Sequence, residues 1–390
     1  MIRAILLGVA LLPSLCHAAS SSSEGDTTLV LDTELRVRSE WRDGYRLSST
    51  PDEEGTLTTV QRSRIGISGG WDRLSFKAQL QDVRVYGQPG GNTQGNIAVA
   101  EAWGAYRFNP ALLVKVGRQM VDFDGGRVVG AANWANPGRF LDGIRLDRQG
   151  TASRTSILYT WDELAETQRF IAHHEWFWER HRLALFSFDQ SSNTELQAFT
   201  SGATWHWSPS DTWTIRTEGH LQWQEGDGSG HLIASEAARK AENGSVWKIG
   251  GDMLSDVQSG QAFQPLLGTN HKFYGWMDHF YVGAFTDGLT DLRLTRQFPI
   301  YGPRMQAGAT AHHFRTYGGG DLLGNELDLW MTGKEQEGIR WFVGWSVFDP
   351  TTTHVVRQGN LPVESIEAAA SRIQQWGWIS VQINPSIALK

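Results

Sequence analysis

Leu29-Val30-Leu31-Asp32-Thr33-Glu34-Leu35-Arg36-Val37-Arg38-Ser39-Glu40-Trp41 alternates with a period of two residues. Leu29, Leu31, Leu35, Val37 and Trp41 lie on one phase with Thr33 and Ser39, and Asp32, Glu34, Arg36, Arg38 and Glu40 lie on the other. Successive side chains of a β-strand point to opposite faces, so this stretch is a strand with one apolar and one charged face. The pattern returns along the chain. Leu74, Phe76, Ala78 and Leu80 oppose Arg73, Ser75, Lys77 and Gln79, and Trp213, Ile215, Leu221 and Trp223 oppose Thr214, Arg216, Glu218, His220 and Gln222. Trp247, Ile249 and Met253 oppose Lys248 and Asp252; Leu327, Leu329 and Met331 oppose Glu326 and Asp328. Ile339, Trp341, Val343, Trp345 and Val347 complete the series.

These segments run about 9 to 13 residues, the length a tilted strand needs to cross a hydrocarbon core. Trp41, Trp71, Trp161, Trp178, Trp205, Trp207, Trp213 and Trp223 gather at segment ends, where amphipathic rings would sit at headgroup level. Turns such as Gly70-Trp71-Asp72, Asn109-Pro110, Gln149-Gly150, Pro209-Ser210-Asp211 and Gln336-Glu337-Gly338 alternate with longer polar segments near 43–56, 87–96, 122–140, 225–244 and 349–371. The expected fold is an all-β, antiparallel, up-and-down transmembrane barrel of about 18 strands, with 16 as the fallback count. Two parts fit poorly. Strands near 182–190 and 271–297 alternate weakly, and the count puts residues 256–272 on the short-turn side, so that segment either folds into the pore or marks a miscounted strand.

The N-terminus supplies the export signal. Arg3 precedes an apolar run from Ala4 to Leu12, Pro13 breaks it, and Cys16-His17-Ala18 closes it, so residues 1–18 read as a cleaved secretory signal. A lipoprotein signal ending at Cys16 is the other reading, opposed by the bulky Leu15. Cleavage after Ala18 removes the only cysteine, and with it any disulfide or thiolate metal site. Residues 19–28 are a short polar segment, and 29–390 form the barrel, placed in a bacterial outer membrane.

Net charge of −7 argues against a nucleic-acid partner, and no apolar run beyond the signal approaches a spanning helix. There is no Gly-x-Ser-x-Gly elbow and no His-Glu-x-x-His motif, so the chain is expected to be neither an enzyme nor a cofactor binder, although a barrel hydrolase with dispersed residues is a remaining reading. Adjacent residues in His173-His174 and His312-His313 point to opposite faces and cannot chelate one ion alone, so no metal is expected. Gly318-Gly319-Gly320 reads as a flexible turn.

Arg36, Arg38, Arg62, Arg64, Lys77, Arg84, Lys115 and Arg145 lie on or near the polar phase. An arginine on the lipid side at mid-membrane costs on the order of 2–4 kcal/mol, so these are expected to face the lumen. Guanidinium groups grip carboxylates with paired hydrogen bonds, and a ring of them would favour anions. The alternative is that they pair with Asp32, Glu34, Glu40, Asp82 and Glu101 across strands and simply fill the lumen.

Gly117-Arg118-Gln119, Asp124, Gly126-Arg127, Trp134 and Arg139-Phe140-Leu141-Asp142-Gly143-Ile144-Arg145 resemble the alginate export family of Gram-negative outer-membrane barrels. The likeness runs from about 29 to 150, more weakly around Phe263 to Asp278 and Asp287 to Leu294. The resemblance implies an 18-stranded barrel with an arginine-lined lumen that conducts an acidic exopolysaccharide such as alginate, served by periplasmic export machinery. By motif it adds Arg118, Arg127, Arg139 and Arg145 to Arg36, Arg38, Arg62, Arg64 and Arg84 as lumen residues that meet substrate. For Arg118, a loop-anchoring salt bridge with Asp122 or Asp142 is the competing reading. The mature chain is shorter than expected of an alginate exporter, and Ile387-Ala388-Leu389-Lys390 lacks a terminal aromatic. Trp376, Trp378, Ile379 and Val381 could form the closing strand. A general or small-anion porin, and a secreted soluble β-protein that binds carbohydrate, are the other functions weighed.

Overall fold

The computed structural model describes residues 28–44, 55–86, 97–192, 195–225, 228–280, 286–335, 338–358 and 362–389. The signal segment 1–18 lies outside them, as do most of 19–28 and the tips 45–54 and 87–96. The strands are Thr28–Asp43 (β1), Thr56–Trp71 (β2), Leu74–Val85 (β3), Ala98–Asn109 (β4), Leu112–Gln119 (β5) and Leu141–Gln149 (β6). Then come Ser153–Asp162 (β7), Thr167–Trp178 (β8), His181–Ser192 (β9), Glu195–Trp207 (β10), Trp213–Gln224 (β11) and Gly230–Lys240 (β12). Val246–Leu254 (β13), Leu289–Tyr301 (β14), Met305–Arg315 (β15), Leu322–Lys334 (β16), Ile339–Pro350 (β17), Gln374–Ile383 (β18) and Ser386–Leu389 (β19) follow. Two short helices, Thr352–Gln358 (α1) and Ile366–Ala370 (α2), interrupt the connection from β17 to β18.

From β1 to β18 each strand pairs antiparallel with its sequence neighbour, and β1 closes the circle against β18 and β19. Leu35 faces Ile383 and Asp32 faces Ser386 in one continuous register, so β18 and β19 are a single stave broken at Asn384-Pro385. Proline lacks the N–H that a ladder needs, which accounts for the break. The barrel therefore has 18 staves, the number expected, and Trp376, Trp378, Ile379 and Val381 do lie on the closing strand.

The period-two pattern sorts the two faces. Ile65, Leu221, Ile249, Leu292 and Ile379 are about half exposed and face lipid, whereas Arg36, Arg62, Glu218, Asp291 and Asp328 are buried toward the axis. Trp71, Trp161, Trp178, Trp205, Trp213 and Trp223 point outward near strand ends, as an interfacial girdle requires. No helix among the described residues is long and apolar enough to cross a membrane; the strands do that.

Two expectations need correction. Residues 225–244 are not one long loop, because they contain β12. The strand expected near 271–297 begins at Leu289, and the residues before it belong to a long connection. Counting β12 puts the connection from β13 to β14 at the same barrel end as those from β5 to β6 and from β17 to β18, so a miscount had set it on the short-turn side, and its residues 255–280 also fold into the pore. Alternation failed there for a physical reason. Phe186 and Phe188 of β9, and Leu254 of β13, are lumen-facing yet apolar, because inward-folded loops pack against them.

Candidate functional site

Among the described residues, two connections fill the lumen. Residues 120–140 leave β5 and turn inward, as do residues 255–280 after β13. Val121, Phe123, Val128 and Val129 of the first, with Phe263, Phe273, Tyr274, Met277 and Phe280 of the second, bury against Leu158, Ile171, Phe188, Phe314, Phe348 and Trp376 of the wall. The loops meet in a short parallel bridge between Val129 and Leu267, where Gly130 N–H donates to Leu267 O and Leu267 N–H donates to Val128 O. Arg139 ties them further by donating to Gly130 O, at 2.8 Å, and to Leu267 O. A backbone brought into a barrel must find partners for its N–H and C=O groups, and these contacts supply several.

One wall of the lumen is basic. Arg36 and Arg38 of β1 stand beside Arg62 and Arg64 of β2, in a register where Arg36 faces Arg62 directly. Their carboxylate partners are few. Arg62 pairs with Glu34 at 2.5 Å and Arg38 with Glu40 at 2.6 Å, and Arg64 lies 3.9 Å from Glu34. Arg64 also donates to Gln81 Oε1 at 3.1 Å, and most of the remaining bonds go to main-chain oxygens of the inward loop. Arg36 donates to Asn133 O (2.8 Å) and Ala135 O (3.1 Å), and Arg38 donates to Trp134 O (2.8 Å). Arg62 reaches Asn133 O, Ala135 O and Asn136 O, and Arg64 reaches Pro137 O at 3.2 Å. The Arg38 guanidinium also covers the Trp134 ring at 4.1 Å.

The opposite wall is a mixed ion network. Arg127 from the first loop is buried between Glu218 of β11 and Asp252 of β13, 2.8 Å from the latter, with its guanidinium 4.0 Å over Phe273. Burial disfavours its charge, but Asp252 and Glu218 outweigh that and hold its pKa well above the ordinary value. Arg293 binds Asp252 at 2.8 Å, and His312 donates toward Asp291 at 2.9 Å. Beside this network Lys272 donates to Gly125 O, and burial, with repulsion from Arg216 and Arg127 against attraction to Asp122, brings its pKa down to about 8. Burial pushes the Asp122 carboxyl up. Asp124 is buried too, yet His173, Arg182 and Arg216 hold it below the carboxylate range.

The remaining expected residues are placed differently. Arg145 faces inward, bound to Asp147 at 2.8 Å and to Ser156 at 3.2 Å. Lys77 pairs with Glu101, and the Lys115 ammonium lies 3.9 Å over the Trp103 ring. Arg84 and Arg118, expected in the lumen, lie on the outward phase instead. Arg84 pairs across the sheet with Gln61, one residue out of phase with the inward Arg62, and Arg118 is one residue out of phase with Gln119, which is buried inward. Both sit at the loop end of their strands and are satisfied there, Arg84 by Asp82 at 2.5 Å and Arg118 by Asp142 at 2.8 Å. Charge on the outer face is cheap near the interface, on the order of 0–1 kcal/mol, so the phase rule weakens at strand ends.

His173 and His174 do point apart, His173 inward onto Asp124 at 2.8 Å and His174 to Thr155 at 2.7 Å. What the adjacent-pair argument missed is the next spacing. Asp124, His173 and Glu175 bring donor atoms within 4.8 Å of one another. Arg182 binds both carboxylates there and already supplies the positive charge. The acidic residues Glu218, Asp252, Asp291, Glu326 and Asp328 were legible as the polar phase, but nothing local marked them as one wall.

The alginate export family model matches residues 27–284, about two thirds of the chain. No curated protein matches the sequence. Among solved structures the fold is similar to OccAB4 of Acinetobacter baumannii, at TM-score 0.66 and 10% identity over 93% of this chain and 98% of that one. It is also similar to OpdK of Pseudomonas aeruginosa (TM-score 0.65, 10% identity, 92% and 99% covered) and to OprD of the same organism (0.64, 10%, 93% and 96%). At such identities the likeness speaks for the fold alone, an outer-membrane barrel. Together with the family match over residues that include both the basic wall and most of the inward loops, it assigns this chain to the alginate export family of outer-membrane β-barrel channels.

Proposed function

We propose that the barrel conducts carboxylate-bearing anions, with an acidic polysaccharide of the alginate type as its cargo. The observation that carries this is the basic wall, where Arg36, Arg38, Arg62 and Arg64 stand against only Glu34 and Glu40. Guanidinium forks match carboxylates geometrically, so a polyanion could pass along the wall between weak sites. The test is planar-bilayer recording across a salt gradient, with polymannuronate added to one side. Anion-selective reversal potentials and block by the polymer support the reading, whereas cation selectivity overturns it.

A small-anion porin is the second reading, and one observation favours it. Two inward loops occupy the lumen, so a polymer needs both to move while a small carboxylate needs less room. OpdK, of similar fold, has been crystallised with vanillate, a small carboxylate. Anion selectivity without polymer block would identify this case.

A further inference from the structure

The basic wall has an occupant already. Residues 133–137 read Asn-Trp-Ala-Asn-Pro, carry no charge, and lie across four guanidinium groups. Each of the five contributes its main-chain oxygen to this contact, and the Oδ1 of Asn136 receives a further bond from Arg36 at 3.2 Å. We propose that this segment is a strap, an internal uncharged ligand of the arginine site, which a carboxylate-bearing solute displaces during conduction. The proposal rests on the anion-channel reading.

Three observations carry it. First, the site is under-satisfied. Each hydrogen bond recorded for the Arg36 guanidinium ends on a neutral oxygen, and Nη2 of Arg62 is buried with no acceptor at all. A carboxylate adds its own negative charge and a two-oxygen fork that matches the guanidinium, which a single neutral carbonyl oxygen lacks, so exchanging strap for solute gains where donors are paired. Second, the strap is bounded by left-handed residues, Ala132 at φ +46° and Gly138 at φ +73°. A non-glycine residue held there stores backbone strain that release of the strap would relieve. Third, the strap is only part-buried, unlike Val128 and Val129 just before it, which are buried in the plug core. Trp134 holds the strap's middle against His271, Trp376 and Trp378, which would return it to the wall once the solute leaves.

The experiment is hydrogen exchange on the full-length protein in detergent, with a trigalacturonate probe and a neutral trisaccharide as control. The amides of Ala135 and Arg139, which donate to Ala132 O and Ala131 O, report the strap. Exchange accelerated about tenfold by trigalacturonate and unchanged by the neutral sugar is expected. A tethered competitor supplies the second arm. Asn136→Asp places a carboxylate where Oδ1 now meets Arg36, and should raise the trigalacturonate concentration for half-maximal effect by about tenfold, since an ion pair replaces a contact to a neutral oxygen and strengthens the strap. Heat-modifiable migration verifies that the variant folds. Anion-selective conduction with unchanged or slowed exchange at both amides overturns the strap while leaving the channel reading intact. Cation selectivity overturns both.

Discussion

The indole of Trp134 lies flat on the imidazole of His271, with ring centroids 4.4 Å apart and planes 9° from parallel. The two residues belong to different inward loops, so this stack couples the segment on the basic wall to the segment on the acidic one. Phe342, Trp376 and Trp378 meet the same indole edge-on. Trp134→Ala should remove about 3–5 kcal/mol of packing, which is large against the stability of a docked loop. The expected outcome is higher single-channel conductance and faster tryptic cleavage at Arg139 and Lys272. Unchanged conductance with unchanged cleavage would show that the stack does not hold the plug.

Arg127 is a buried cation between Glu218 and Asp252. Arg127→Met leaves both carboxylates buried without this partner, at a cost of about 3–5 kcal/mol. Near-UV circular dichroism on heating should show the plug melting earlier while the far-UV strand signal persists. Adding Glu218→Gln and Asp252→Asn to the variant should recover part of the loss, because it removes the excess negative charge that Arg216 and Arg293 are left to balance.

The assignment of faces is open to direct measurement. Ile249 is 65% exposed on the lipid side, whereas Thr295 lies on the lumen phase of β14, bonded to Thr310 at 3.1 Å. Ile249→Arg should destabilise the barrel by about 2–4 kcal/mol in equilibrium refolding into lipid vesicles. Thr295→Arg should cost much less. Equal costs would mean that the two phases are assigned wrongly.

Acid should loosen the connection between β17 and β18. His354 of α1 is packed among His279, Phe280 and Phe348, and burial, reinforced by the nearby Arg357, lowers its pKa to about 4. The unfolded segment takes up a proton near 6.5, so between pH 6.5 and 4 it binds more protons than the docked one, and docking weakens as pH falls. The full loss, present below pH 4, is about 3 kcal/mol. Proteolysis at Arg357 should accelerate across that window, and His354→Phe should flatten the dependence.

Much of this is legible in the sequence. Leu29 to Trp41 gave β1 its two faces, and Arg36 and Arg38 fell inward as their phase required. The rule misplaced Arg84 and Arg118 because it treats a strand as equally deep in the membrane along its length, and these two sit where water returns. It lost the position of β14 because Phe273, Tyr274, Met277 and Phe280 are apolar for packing inside the lumen, which a two-residue period cannot express. The Asp124–His173–Glu175 cluster escaped because Asp124 arrives from a loop 49 residues away in sequence from His173.

Alternation determined that the strands have one apolar and one charged face, because a strand's side chains have only two directions to point, and their length made a membrane barrel the expectation. Tertiary structure alone decided what the arginines touch. Which acceptors fill a guanidinium depends on where a loop folds, and the path of residues 120–140 into the lumen is set by packing against walls that lie far off in sequence. The basic face was therefore legible, and its internal occupant was not.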